Sequence, residues 1–153
     1  KDQNFRLFDL ASHDKKKNFI IHGRLDDVIN ISGHRIGSAE IESILLKSNK
    51  IKEACAISVD DNLSGKKLII FIVSSKKINI NNIVENLIIK SFGSFALPER
   101  VIILSELPKT RSGKILRRVL RDLYLNPYTK KIGDLSTILN KKVILEIKKK
   151  LLK

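Results

Sequence analysis

Tryptophan and methionine are absent from this chain of 153 residues, aromatics make up 5%, and cysteine occurs once. With Cys55 alone, neither an intramolecular disulfide nor a cysteine-based metal cluster can form, which fits a reducing compartment. The three histidines, His13, His22 and His34, have no metal-ligand spacing, so no metal site is expected. No run of about 18 apolar residues occurs, so no membrane-spanning helix is expected. The opening residues, KDQNFRLFDLASHDKKKN, are polar and interrupted and do not read as a signal peptide; a cytoplasmic location is the expectation. What the chain does have is Ile, Leu and Val in plenty. That is enough for the aliphatic core of one small α/β domain, with Cys55 as a core residue.

The net charge of +14 invites a nucleic-acid reading. Lysines, however, outnumber arginines 22 to 8, and many stand in pairs or triplets on what read as solvated faces, such as Lys15 to Lys17 and Lys66-Lys67. The exception is Lys109 to Arg121, with six cations and no acid. There Arg117, Arg118 and Arg121 fall off the apolar stripe and would face an anion. No base-stacking aromatic ladder and no DNA-binding motif accompany them.

Apolar spacing predicts an α+β domain with helices packed on one small β-sheet. Phe5 to Leu10 and Phe19 to His22 read as a hairpin with a polar tip at Ser12 to Asn18. A strand at Asp27 to Ile31, a turn at Ser32-Gly33 and an extended piece to Ile36 follow. A helix is predicted from Ser38 to Lys47, strands at Ile51 to Val59 and Lys67 to Ser74, and a second helix from Asn81 to Phe92. Another strand at Val101 to Leu104 leads to a third helix, and Val143, Ile144, Ile147 and Leu151 mark a short last one.

Two segments carry chemistry. Leu107 to Leu123, LPKTRSGKILRRVLRDL, sets Lys114 after a Ser112-Gly113 turn. Ile115, Leu116, Val119, Leu120 and Leu123 behind it recur at helical spacing. A flexible, wet turn of this kind can carry a cation into another active site, although a lysine in a glycine turn is by itself most often only solvated. The second segment is Gly23 to Ser43, GRLDDVINISGHRIGSAEIES.

Together, in this order and at this separation, the two segments resemble the carboxy-terminal domain of the AMP-forming acyl-CoA synthetases of the acyl-adenylate-forming superfamily. The nearest branch is that of acetyl-CoA and propionyl-CoA synthetases, and GDLST at Gly133 to Thr137 looks like the tail of the same branch. The resemblance implies that residues 1–25 end a large amino-terminal domain and its junction, and that 26–153 form the mobile carboxy-terminal domain. It also implies a ligase that adenylates a short-chain carboxylate with ATP and then transfers the acyl group to coenzyme A. Mg would enter with ATP, mainly through the amino-terminal domain. No glycine-rich phosphate loop or acyl pocket is legible here; in this family both belong to that other domain, so the chain alone is expected to be folded and inactive.

By the same resemblance Lys114 is the adenylation lysine, Asp26 the hinge, and Asp9, Arg24 and Arg35 contacts to the nucleotide. Gly33, His34 and Arg35 form the coenzyme A side loop. Asp9 departs from the pattern in following Phe8, where a glycine is usual. Where the branch commonly has an arginine for a coenzyme A phosphate this chain has Ile89, and Lys90 would point about 100° away. The implied partners are the enzyme's own amino-terminal domain and, at an exposed Lys114, a lysine acetyltransferase and deacetylase. The rival readings are a propionyl-CoA synthetase, another acyl-adenylating enzyme, and a basic nucleic-acid-binding module.

Overall fold

Two stretches of six consecutive buried residues, 54–59 and 68–73, organise the fold. A strand apolar on both sides has both faces covered. In the computed structural model, which describes residues 9–24, 27–61, 65–74, 79–129 and 138–152, these stretches lie in β5 (Ile51–Asp61) and β6 (Gly65–Ser74). The two pair antiparallel with Cys55 opposite Phe71 and Ile57 opposite Ile69. β7 (Arg100–Leu104) joins the far side of β6 in parallel, after the crossover through α2 (Ile80–Phe92) that a parallel pair requires. The sheet order is β5-β6-β7, which leaves β5 as an edge.

The pleat sends alternate residues into two cores. Cys55, Ile57, Val59, Ile69, Phe71, Ile102 and Leu104 meet α3 (Arg117–Leu125) and α4 (Lys142–Leu151) through Val119, Leu120, Leu123, Val143, Ile144 and Ile147. Ala54, Ala56, Leu68, Ile70 and Ile72 face the other way, onto Ile41 and Leu45 of α1 (Ser38–Leu45) and onto Ile80, Val84 and Ile88 of α2. Phe71, fully buried at the centre of β6, is the largest such side chain; burial on that scale stabilises by roughly 1.5–3 kcal/mol.

The α+β class agrees with the sequence reading, but the strands do not form one sheet. β3 (Val28–Ile31) and β4 (His34–Gly37) close on themselves as a hairpin, whose Ile29, Ile31 and Ile36 pack onto the α1–α2 side of the central sheet instead of extending its edge. β1 (Asp9–His13) and β2 (Phe19–Arg24) form a third, separate hairpin. Its polar tip is where the sequence places it, with the Asp14 carboxylate accepting the Lys16 and Asn18 amides at 2.8 and 3.0 Å. The starts of α1 and α2 agree with the sequence reading to within one residue. At α1, however, Gly37 is the cap and Ser38 is buried, so no hydroxyl closes the helix.

Among the described residues no helix is long and apolar enough to cross a membrane, and no group of three or more His, Cys, Asp or Glu is placed to hold a metal. Cys55 is fully buried, and burial, reinforced by the nearby Glu42 carboxylate, pushes its thiol up to about 12. Because only the thiolate reacts readily, the native chain at pH 8 is expected to resist Ellman's reagent and to react at once in denaturant. Rapid labelling of the native chain would show that the α3–α4 face of the sheet is open.

Candidate functional site

Lys114 sits on a turn far better ordered than its composition suggests. Gly113 donates its amide to the Thr110 carbonyl at 2.9 Å, and Thr110 donates to the Lys114 carbonyl at 2.9 Å. The Lys114 amide donates to Thr110 Oγ1 at 3.1 Å, and the Thr110 and Ser112 hydroxyls lie 2.9 Å apart. Gly113 has φ +85°, the left-handed value that this three-residue hairpin loop demands. Further back, Leu116 donates to the Pro108 carbonyl and Leu139 to the Lys109 carbonyl, both at 2.9 Å. The flexible turn expected from sequence is therefore a hydrogen-bonded miniature hairpin. Its exposed side chains at 111–114 stand away from buried Leu107 and Pro108.

Two ion pairs fasten this hairpin to the edge strand. At its entrance the Lys109 ammonium donates to Glu53 Oε1 of β5 at 2.6 Å. At its exit Arg117 Nη2 meets Glu42 Oε2 of α1, and Glu42 Oε1 in turn accepts the Ala56 amide on β5's open side at 2.8 Å. Arg121 Nε donates to the Ser58 carbonyl, two residues along the same open side, at 3.2 Å. The cationic face read from sequence is thus largely turned inward. Arg117 and Arg121 cover a sheet edge, and of the three arginines on α3 only Arg118 stays exposed, with Asp122 at 3.9 Å. The fold corrects that expectation because an edge strand leaves backbone groups that need partners.

Glu42 was not singled out from sequence, though a signal exists. The buried positions of α1 are 38, 41, 42 and 45, one helical stripe, and an acid in such a stripe requires a partner.

The Ser32-Gly33 turn closes the β3–β4 hairpin between paired Ile31 and His34. Both turn residues have positive φ, 50° and 83°, as a two-residue hairpin loop requires. A Cβ at residue 33 would meet nothing within 4 Å, so the backbone angle, with open space above it, is what asks for glycine. His34 stacks on Phe95 with ring centroids 4.0 Å apart. A groove of about 310 Å³ opens alongside, lined in part by Ser32, Phe95, Leu97, Lys66, Lys67 and Glu99. Arg35 is exposed on β4 and has no ion-pair partner among the described residues. Ile89 and Lys90 both face solvent near the end of α2, Ile89 being 45% exposed.

Asp9 and Arg24 are directly opposite each other in the β1–β2 register. Their side chains, with Asp26 and the Gly133 to Thr137 tail, lie outside the described residues. The remaining candidates fall into two groups on opposite sides of the central sheet. Ile115 and Leu116, next to Lys114, pack into the α3–α4 core, whereas Ile31 and Ile36, flanking Gly33, His34 and Arg35, belong to the α1–α2 core.

With that geometry in view, the likenesses to known proteins are specific. The family model described as AMP-binding enzyme C-terminal domain matches residues 40–114. The chain is 41% identical over 139 residues to acetyl-coenzyme A synthetase 2 of Candida albicans, covering 86% of this chain and 20% of that protein. It is 39% identical over 140 residues to the acetyl-coenzyme A synthetase of Pseudoalteromonas atlantica, covering 89% and 22%. Among solved structures, ATP-bound MatB from Rhodopseudomonas palustris superposes with a TM-score of 0.73 at 26% identity, over 84% of this chain and 26% of that one. The chain spans about a fifth of the length of the curated relatives it matches.

The Glu42–Arg117 pair is testable by its pH dependence. Arg117→Leu leaves an ionised Glu42 buried and unpaired, at a cost of about 3–5 kcal/mol at neutral pH. Burial already holds the Glu42 carboxyl above its ordinary 4.5, against the lowering pull of the Ala56 amide and Arg117. For a carboxyl whose folded pKa is raised, stability is fully present below the unfolded value and is lost as pH rises through the folded one. Urea denaturation across a pH series should therefore show the deficit of Arg117→Leu shrinking as pH falls toward about 4.5. A deficit independent of pH would mean that Glu42 carries no buried charge.

Proposed function

Because the chain belongs to the AMP-binding enzyme C-terminal domain family, we propose that it is the carboxy-terminal part of an AMP-forming acetyl-CoA synthetase. Residues 26–153 are the mobile domain, and 1–25 are the end of the amino-terminal domain with its junction, Asp26 acting as hinge. The β1–β2 hairpin, which hydrogen-bonds as a sheet of its own, supports that division. The full enzyme converts acetate, ATP and coenzyme A to acetyl-CoA, AMP and pyrophosphate, with Mg²⁺ accompanying ATP mainly on the amino-terminal domain.

The observation that carries the reading is Lys114, an exposed ammonium at the tip of a turn whose backbone is hydrogen-bonded on both sides. In the first half-reaction an acetate oxygen attacks the α-phosphorus of ATP and pyrophosphate leaves. Two anions must approach, and charge grows on the oxygens between them. A cation held at that point lowers the barrier by stabilising this charge. Asp9 and Arg24, opposite each other across the junction hairpin, contact the nucleotide ribose, and Arg35 a nucleotide phosphate.

In the second half-reaction the thiol of coenzyme A attacks the acyl carbon of the adenylate and AMP leaves. Gly33, His34 and Arg35 serve this step: the open space over Gly33 admits the pantetheine arm, and the Arg35 fork suits phosphate oxygens. Lys114 and this loop stand on layers separated by the central sheet, which fits a domain that rotates about Asp26 to present one and then the other. Acetylation of Lys114 by a lysine acetyltransferase would remove its charge and silence adenylation until a deacetylase restored it.

In the full-length enzyme that carries this chain, Lys114→Ala is expected to lower acetate-dependent exchange of pyrophosphate into ATP by about 10²–10³. Thioester formation from pre-made acetyl-adenylate should persist. If both activities survive intact, Lys114 is a solvated turn residue and the reading fails.

A further inference from the structure

The Lys114 side chain is exposed, so its aim is set by the backbone that carries it. The 109–116 hairpin is hydrogen-bonded within itself, but such a unit still has to be oriented on the body of the domain. Leu107, Ile115 and Leu116 bury one side of it, and apolar contact is largely non-directional. The directional contacts from outside the hairpin are the Leu139 amide on the Lys109 carbonyl and two charge-assisted hydrogen bonds, one at each end. Lys109, five residues before Lys114, reaches Glu53, and Arg117, three residues after it, reaches Glu42. Both carboxylates are referred to the same strand. Glu53 is a residue of β5, and Glu42 is held by the amide of Ala56 on β5. The four groups are shielded, with side chains 30% exposed for Lys109 and Glu53, 27% for Arg117 and 12% for Glu42, so solvent does little to screen them.

We infer that Glu53 and Glu42 are positioning residues for Lys114. Acting through Lys109 and Arg117, they fix the two ends of its hairpin against the edge of β5 and so set where the ammonium points, without touching substrate themselves. The inference rests on the reading of Lys114 as the adenylation lysine. On this view the lysine turn is aimed by two acids at residues 42 and 53, far from it in sequence, one of them on the helix that follows the Gly33-His34-Arg35 hairpin.

The test compares Glu53→Gln, Glu42→Gln and Lys114→Ala in the full-length enzyme. Pyrophosphate exchange and thioester formation from pre-made acetyl-adenylate are measured together with thermal unfolding. Each glutamine variant is expected to lower the exchange kcat by about 10–10²-fold, the scale of a misplaced catalytic group, with the KM for ATP and acetate unchanged. The thioester step should keep its rate. The double exchange Glu53→Lys with Lys109→Glu should recover much of the exchange rate that either change alone removes, because it restores the pair with its charges reversed.

A parallel fall of both half-reactions with lowered thermal stability would make the acids merely structural and overturn the inference. So would a normal exchange rate in both glutamine variants while Lys114→Ala is dead, an outcome that leaves the reading of Lys114 standing. If Lys114→Ala itself exchanges at the normal rate, that reading falls and takes the inference with it. Should Glu42→Gln fail to fold, Glu53→Gln and the double exchange decide.

Discussion

The open side of β5 is the constraint around which the molecule is arranged. A three-stranded sheet covered on both faces still has an edge whose amides and carbonyls lack a neighbouring strand. Here Ala56 donates its outward amide to Glu42, and the outward carbonyl of Ser58 accepts from Arg121. Glu42 comes from the layer on one side of the sheet, Arg121 from the layer on the other, and Arg117 joins them around the edge. A buried ion pair adds little net stability, since desolvation nearly offsets attraction, but removing one partner is expensive. The pair's contribution is therefore chiefly geometric. It ties α1 and α3 into one relative placement that apolar packing alone would specify less sharply.

Lys114 and the Gly33-His34-Arg35 loop hang from those two layers. The lysine turn immediately precedes α3, and the Ser32-Gly33 turn lies on the hairpin that leads into α1. The central sheet lies between the two cores into which their neighbours pack. For the domain rotation proposed above, rigidity is the useful property. A domain that presents two faces in turn must move as a body, and a sheet packed on both sides by aliphatic side chains with an edge capped by charge can do that.

Much of this was legible along the chain. The strands and helices follow from apolar periodicity because long aliphatic runs leave few alternatives, and Cys55 reads correctly as a core residue. The Ser32-Gly33 turn is visible because positive φ asks for glycine. What went astray did so for identifiable reasons. Periodicity says that a strand is apolar, and not which strands share a ladder, so it suggests one sheet where the described residues form three. Arg117 and Arg121 lie off the apolar stripe of α3 and looked like an anion-facing surface. Their partners, Glu42 and Ser58, are 75 and 63 residues away in the chain, beyond any local pattern. The lysine turn looked flexible because its composition is polar, while the bonds that order it include backbone bonds no side-chain inventory reveals.

The family resemblance, the identity of the candidate residues and the elements that bear them can all be read along the chain. Those depend on residue type and short-range spacing, which are properties of the chain read in order. That the candidates divide between two layers, that most of the basic face of α3 is turned inward, and that Lys114 is borne on a hairpin clamped at both ends by Glu53 and Glu42 emerges with the packing alone. Those depend on which surfaces meet when the sheet is buried on both sides. A charged side chain is either a solvated face or a structural clamp according to what folding places opposite it.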